Sequence, residues 1–134
     1  MRLPGSGGGG DIASLAHRHV IVMAHERRRF VERVDYVTSP GWGEGGDWRR
    51  GIGLPRGGPS ALITTLGLFR FDPTSRELVL ASTHPGVGTA EVRAQTGWPL
   101  AGLPDVAETP APTAGELAVI RRFDPEGFWT GGRG

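Results

Sequence analysis

Cysteine, lysine and asparagine are all missing from this 134-residue chain, and tyrosine occurs once. Without cysteine there is no disulfide, no thiolate metal site and no thiol nucleophile, which fits a reducing compartment and sets the expectation of a cytoplasmic protein. Without lysine, all 15 basic residues are arginine, and 14 acidic residues nearly cancel them to leave a net charge of +1. No broad field of one sign therefore invites nucleic acid or a charged membrane surface. No apolar run approaches the ~20 residues that a membrane helix needs. The joint lack of lysine and asparagine reads as the codon bias of a GC-rich genome, a statement about source and not about function.

What the chain has in abundance is glycine and proline, 23 and 11 residues. That composition predicts many loops and turns. Hydrophobic residues at 37% and charged residues at 22% allow one core, so residues 1–134 read as a single domain.

The opening stretch GSGGGGD, residues 5–11, has two opposite readings. It is a flexible Gly/Ser linker, or a loop whose bare backbone amides hold an anion above a short helix, DIASLA, capped by Asp11. HVIVMAH, residues 19–25, reads as a buried strand of an α/β sheet. RRFVERVDYVTSPG then predicts a short turn and extended chain ending at Pro40 and Gly41. Residues 41–59 hold eight glycines, two prolines and two tryptophans and predict a loop or mobile flap.

ALITTLGLFRFD reads as one strand, DPTSRE as a turn and ELVLASTHPG as the returning strand, together a hairpin. TAEVRAQTG predicts a short helix opened by Thr89 and stopped by Gly97. Trp98 to Pro112 is a Pro-rich crossing segment. The T-x-x-E pair Thr113 and Glu116 marks the best helix of the chain. The tail after Asp124 is expected to lie on the surface or fray. The sum is one α/β domain. Its glycine stretch lacks the preceding strand that usually aims such a loop.

Side chains that carry chemistry are few. His17 and His19 form an H-x-H pair, and His25 begins HERRR, the first half of H-E-x-x-H without its second histidine. With no cysteine and no well-spaced third ligand, no metal site is expected; these histidines and His84 read as surface or structural. Arg27, Arg28 and Arg29, with Arg33, are able to meet phosphates, but neighbouring Glu26 and Glu32 favour a solvated, ion-paired face. Trp42, Trp48, Trp98 and Trp129 sit beside glycine or proline and read as pins between loops and core. Ser39 has no base nearby in sequence, which argues against a serine hydrolase.

Five blocks in order carry a family resemblance: GSGGGGDIASLA, VIVMAHERRRFVERVDYVTSPG, GLPRGGPSALITTLGLFRFD, LASTHPGVGTAEVRAQTGWPL and TAGELAVIRRFDPEGF. Together, from Gly5 to about Phe128, they resemble the β subunit of the family I CoA-transferases, the type found in glutaconate CoA-transferase. The resemblance implies an open, mostly parallel α/β sheet, and two related subunits, α and β, with acyl-CoA between them. It implies no permanently bound cofactor, coenzyme A and acyl-CoA being substrates, and transfer of CoA to a carboxylic acid. In that chemistry a glutamate attacks the thioester, giving an acyl-glutamyl anhydride and then an enzyme-CoA thioester. The family's glycine block supplies a backbone oxyanion donor. Carried over, that role falls on Gly7, Gly8 and Gly9, with Gly5, Ser6, Gly10 and Asp11 in the CoA-binding block. The loop reading is thereby favoured over the linker.

The chain departs from the family in one respect. The nucleophile of the family's β subunit lies in an S-E-N-G motif, which is absent here and whose place falls upstream of Met1. The chain thus reads as the C-terminal portion of a β subunit, with a sheet incomplete at its N-terminus. Either the first half is a separate chain or lost, or the relatives are a subgroup whose nucleophile sits on the α subunit. On both readings the chain is expected to be inactive without a partner chain that carries the nucleophilic glutamate, and a CoA-transferase α-subunit-like chain is an expected partner. Two alternatives stay open. One is the β subunit of a CoA-dependent C–C ring-opening hydrolase of steroid degradation; the other is a non-catalytic remnant or partner-binding half-domain.

Overall fold

The computed structural model describes residues 6–54 and 56–131. Gly5 lies outside them. In chain order the elements are α1 (Gly7–Leu15), β1 (His19–Met23), α2 (Trp48–Gly51), β2 (Pro59–Thr64), β3 (Gly67–Phe71), β4 (Leu78–Thr83), α3 (Thr89–Ala94), β5 (Ala101–Glu108) and α4 (Ala114–Phe123). The strands form one open sheet in the order β1-β2-β3-β4-β5. The outer pairs β1/β2 and β4/β5 are parallel, and the inner pairs are antiparallel. Four strands therefore run one way and β3 alone runs back, in keeping with the open, mostly parallel α/β sheet expected from the sequence.

The hairpin forms as β3 and β4, from Gly67↔Thr83 to Phe71↔Leu78. Its turn is built on Asp72, whose Oδ1 accepts from the Thr74 and Ser75 amides at 2.9 and 2.7 Å. These bonds stabilise the ionised form and hold the Asp72 carboxyl below its usual pKa.

The stretch ALITTLGLFRFD is not one strand but two, β2 and β3, reversing at Thr65–Leu66. Thr64 makes this possible: its Oγ1 accepts from the Leu66 and Gly67 amides, both at 3.1 Å. Glycine follows because a Cβ at position 67 would run into the Ser82 carbonyl of β4. No Asn, Asp or Pro marks this turn, so the apolar pattern runs straight through it.

Trp98 to Pro112 is also more regular than expected. It contains β5, which pairs with β4 at the sheet edge; Pro104 lies within it, and an edge strand accommodates a missing amide. Helix α3 forms as predicted, but Gly97 does not act as a left-handed stop. Its amide donates to Phe30 O at 2.7 Å, and a Cβ there would stand 2.5 Å from that oxygen, so close approach is what requires glycine. At α4 the capping box is complete. Thr113 Oγ1 accepts from the Glu116 amide at 3.2 Å, and the Glu116 carboxylate accepts from the Thr113 amide at 2.8 Å.

The tail is folded by Asp124. Its carboxylate accepts from the amides of Phe128, Trp129 and Thr130 and from the Thr130 hydroxyl at 2.8 to 2.9 Å.

The core gathers Phe30, Leu62, Phe69, Leu80, Val92 and Leu100. Trp98 stacks on Phe30 with centroids 6.1 Å apart and serves as the pin expected of it. Trp129, by contrast, is 76% exposed. The strand read from HVIVMAH does form, but it is not buried: β1 is an edge strand, and Val20, Ile21 and Val22 are exposed. Only β2 pairs with it among the described residues.

Candidate active site

From Gly7 onward the Gly-rich stretch is neither linker nor loop. Gly7–Gly10 form the first turn of α1, with Ser6 at the N-cap. The first amide to find an intrahelical acceptor is Gly10 N–H, which donates to Ser6 O at 2.8 Å. The amides of Gly7, Gly8 and Gly9 precede it and are the donors that α-helical bonding leaves over. The Ser6 side chain caps none of them, and the first turn carries no acidic residue. Asp11 stands beyond that turn, so the expected cap is not made: an N-cap must precede the orphan amides, and Asp11 follows them.

Around Gly7, Gly8 and Gly9 the backbone is bare. A Cβ built on any of the three meets nothing within 4 Å, and all three are exposed. Four glycines in succession weaken a helix by roughly 3–4 kcal/mol relative to alanine. The rest of α1 is held from outside. Arg49 Nη2 donates to Ser14 O at 3.0 Å, and Gly10 lies against Thr38 O. The turn is thus an anchored helix N-terminus with three donors that no described residue shields and the positive end of the helix dipole.

Arg49 also bears on residues 41–59, read from the sequence as a loop or mobile flap. Its guanidinium is buried and donates to Gly41 O at 2.8 Å and Arg56 O at 3.0 Å as well as to Ser14 O. One side chain thereby ties both ends of the segment to α1.

The histidines do not converge. His17 lies before β1 and His19 within it, so they do not share a strand face. Among the described residues no three His, Asp or Glu side chains are gathered as metal ligands. His25 is buried at 6% exposure and stacks on Phe30 with centroids 3.8 Å apart. Its Nδ1 lies 3.2 Å from Thr64 Oγ1, and its Nε2 lies 3.2 Å from Thr96 Oγ1.

Proton counting assigns the roles. Thr96 Oγ1 already donates to Val92 O at 2.8 Å, so it accepts from Nε2–H. Thr64 Oγ1 already accepts from two amides, so its own proton serves Nδ1 or the Gly67 carbonyl. The neutral Nε2–H tautomer satisfies this arrangement, and burial holds the His25 pKa below the ordinary value of 6.5, opposed in part by the Gln95 backbone. His25 is a structural histidine. Thr64 and Thr96, which complete it, carry no sequence signal of their own.

The arginine run divides. Arg28 and Arg29 pair with Glu26 at 2.5 and 3.4 Å, as an ion-paired face would, whereas Glu32 forms no ion pair among the described residues. Arg27 instead donates to Ala94 O at 2.8 Å and fastens α3.

Comparison with known proteins gives this glycine turn its setting. The family described as Coenzyme A transferase matches residues 1–95. The chain belongs to that family. It is 41% identical over 124 residues to the B subunit of 3-oxoadipate CoA-transferase from Pseudomonas knackmussii, covering 92% of this chain and 48% of the relative. It is 37% identical to the B subunit of glutaconate CoA-transferase from Acidaminococcus fermentans, covering 92% and 47%. The crystal structure of glutaconate coenzyme A-transferase from that organism superposes with a TM-score of 0.86 at 35% identity, over 98% of this chain and 51% of that one. The chain thus spans about half the length of the relatives it matches. A more distant likeness, 31% identity over 76% of this chain and 40% of the relative, is to the cholesterol ring-cleaving hydrolase IpdB subunit of Mycobacterium tuberculosis. No helix among the described residues is long and apolar enough to cross a membrane.

Proposed function

We propose that this chain supplies the oxyanion end of a CoA-transferase active site completed by a second chain of the α-subunit type. The observation that carries the reading is the glycine turn: three consecutive first-turn amides on a fixed helix with no side chain to shield them. When a carboxylate attacks a thioester carbonyl, the π electrons move onto the carbonyl oxygen. Amides of Gly7, Gly8 and Gly9 donate to that oxygen as its charge develops. The tetrahedral species collapses with expulsion of the CoA thiolate, leaving an acyl anhydride on the attacking carboxylate. The attacking glutamate is not assigned to any of residues 1–134, which hold no S-E-N-G block. Substrates are an acyl-CoA and a carboxylic acid, and the setting is cytoplasmic.

In this assignment Gly10 serves by shape, because its amide is committed to Ser6, and Ser6 and Asp11 flank the CoA path. The partner is supported by the flanks of the fold. Ile12, Leu15, Val20 and Val22 on one side and Val119 and Phe123 on α4 are all more than 45% exposed. The CoA-transferase relatives are themselves named as one subunit of an enzyme, which supports a second chain here. The likeness to a ring-cleaving hydrolase favours a second reading, in which the same amides face a CoA-linked ring substrate.

The test is reconstitution with a CoA-transferase α chain and a β-subunit segment that carries the S-E-N-G glutamate, with measurement of CoA transfer from acyl-CoA to a carboxylate. Gly8→Pro deletes one donor at a first-turn position that tolerates proline. It is expected to lower kcat about 100-fold or more, the usual loss for one oxyanion donor. Unchanged transfer by Gly8→Pro overturns the assignment, and ring cleavage without transfer selects the second reading.

A further inference from the structure

Away from the glycine turn lies a cavity of about 120 Å³, lined by Trp42, Asp47, Arg49, Arg50, Leu54 and Arg76 among others. Three arginines line it against a single acidic residue. Two of the three are placed at a cost. Arg76 is the only described residue other than glycine with a positive φ, 67°, a conformation that strains a side-chain-bearing residue. That backbone, closed by Arg76 N–H to Asp72 O at 3.0 Å, brings its guanidinium to 4.5 Å from the centre of the Trp42 ring. Arg49, only 3% exposed, approaches the same ring at 5.8 Å. Trp42 is held in turn by its indole N–H, which donates to Pro59 O at 3.0 Å.

Two like charges share one aromatic ring, and neither forms an ion pair among the described residues. Asp72, the other carboxylate near Arg76, is occupied by the amides and hydroxyl of its own turn. Both Arg49 Nε and Arg76 Nε are buried with no hydrogen-bond partner among the described residues. A buried N–H of a cation left unpaired costs more than a neutral one. Arginine forks suit oxyanions, whose several oxygens accept paired N–H bonds; Arg49, whose two Nη atoms are committed to backbone carbonyls, offers its Nε. The volume admits one tetrahedral group, so the rest of any larger ligand lies outside it. A net lining charge of +2, three guanidiniums less one carboxylate, matches a dianion.

We propose that the cavity bounded by Arg49, Arg50, Arg76 and Trp42 binds a phosphate group, either inorganic phosphate or the monoester end of a larger ligand. The experiment is calorimetric titration of the full chain with inorganic phosphate and with adenosine 3′-monophosphate, at ionic strength fixed with chloride. Saturable binding is expected with a Kd on the order of 1 mM or tighter. Arg50→Gln changes an exposed side chain and leaves the fold intact; it should weaken binding about 10-fold, as should Arg76→Gln. Asp47→Asn should tighten it several-fold, roughly, by removing a repelling charge. Equal affinities for the two probes indicate free phosphate, and tighter binding of the monoester indicates a larger ligand. Absence of saturable heat from both probes, or affinities unchanged in Arg50→Gln and Asp47→Asn, overturns the proposal.

Discussion

The centre of the sheet and its β1 flank are made of the same kinds of residue and end up in opposite environments. Phe69, Leu80 and Val92 are 0%, 2% and 0% exposed. On the flank, Leu15 is 76% exposed and Val22 is 75% exposed. Chain composition does not distinguish these regions, since HVIVM is at least as apolar as LVLAST. What differs is what lies against them. β3 and β4 have strand neighbours on both sides and α3 packed near them. β1 has one strand neighbour, and α1 covers little of it. The comparison teaches that this chain finishes its own centre and leaves its flank to another surface, as the proposed two-chain enzyme requires.

The strongest way to break that comparison is truncation. Phe69→Ala should lower stability by about 3–5 kcal/mol, because it removes a ring from a fully enclosed site. Val22→Ser should change the stability of the chain by less than about 0.5 kcal/mol while weakening its association with a partner. Urea unfolding of both variants reads the first effect, and sedimentation of the mixed chains reads the second. Equal losses of stability would mean that the flank is already part of the core.

A smaller effect comes from two glycines. Gly97→Ala forces a methyl group against Phe30 O and should cost about 1–3 kcal/mol. Gly8→Ala meets open space in a helix and should stabilise the chain by up to about 1 kcal/mol. The same substitution should slow acyl transfer, since the methyl group stands where the thioester must approach. Melting curves with parallel rate measurements separate the two roles. A stabilised Gly8→Ala variant with full activity would make the glycine turn a mere structural habit.

The gentlest probe is pH. The folded pKa of His25 is lowered by burial, so the unfolded chain takes up the proton first as pH falls. The contribution of neutral His25 is therefore complete above about pH 6.5, its ordinary value, and is lost as pH drops through the lower folded value. Unfolding midpoints should fall between pH 7 and pH 5, and His25→Phe should flatten that limb. A midpoint that rises on acidification would mean that the imidazolium is the favoured form in the fold.

How much was legible beforehand depended on how far apart the interacting residues lie. The family resemblance implied the importance of Gly7, Gly8 and Gly9, but their placement in a helix rather than a loop was hidden. Glycine disfavours helix locally, and only the anchoring of α1 by Arg49, 35 residues from Ser14, shows why the turn holds. Likewise HERRR gave no hint that His25 would meet Thr64 and Thr96, 39 and 71 residues away. The arginine–tryptophan cavity was equally invisible, because Arg76 reaches Trp42 from the far hairpin turn through a rare backbone conformation.

By itself the sequence determined the capping box of α4, the β3–β4 hairpin, helix α3 and the ordered blocks that signal the family. These rest on hydrogen bonds and side-chain periods spanning a few residues, which the order of residues already encodes. The tertiary structure alone decided that β1 is exposed, that the chain reverses at Thr65–Leu66, that β5 is a strand, and that residues 41–59 are clamped. Each of these depends on whether a distant segment fills the space beside it, and no local pattern carries that information.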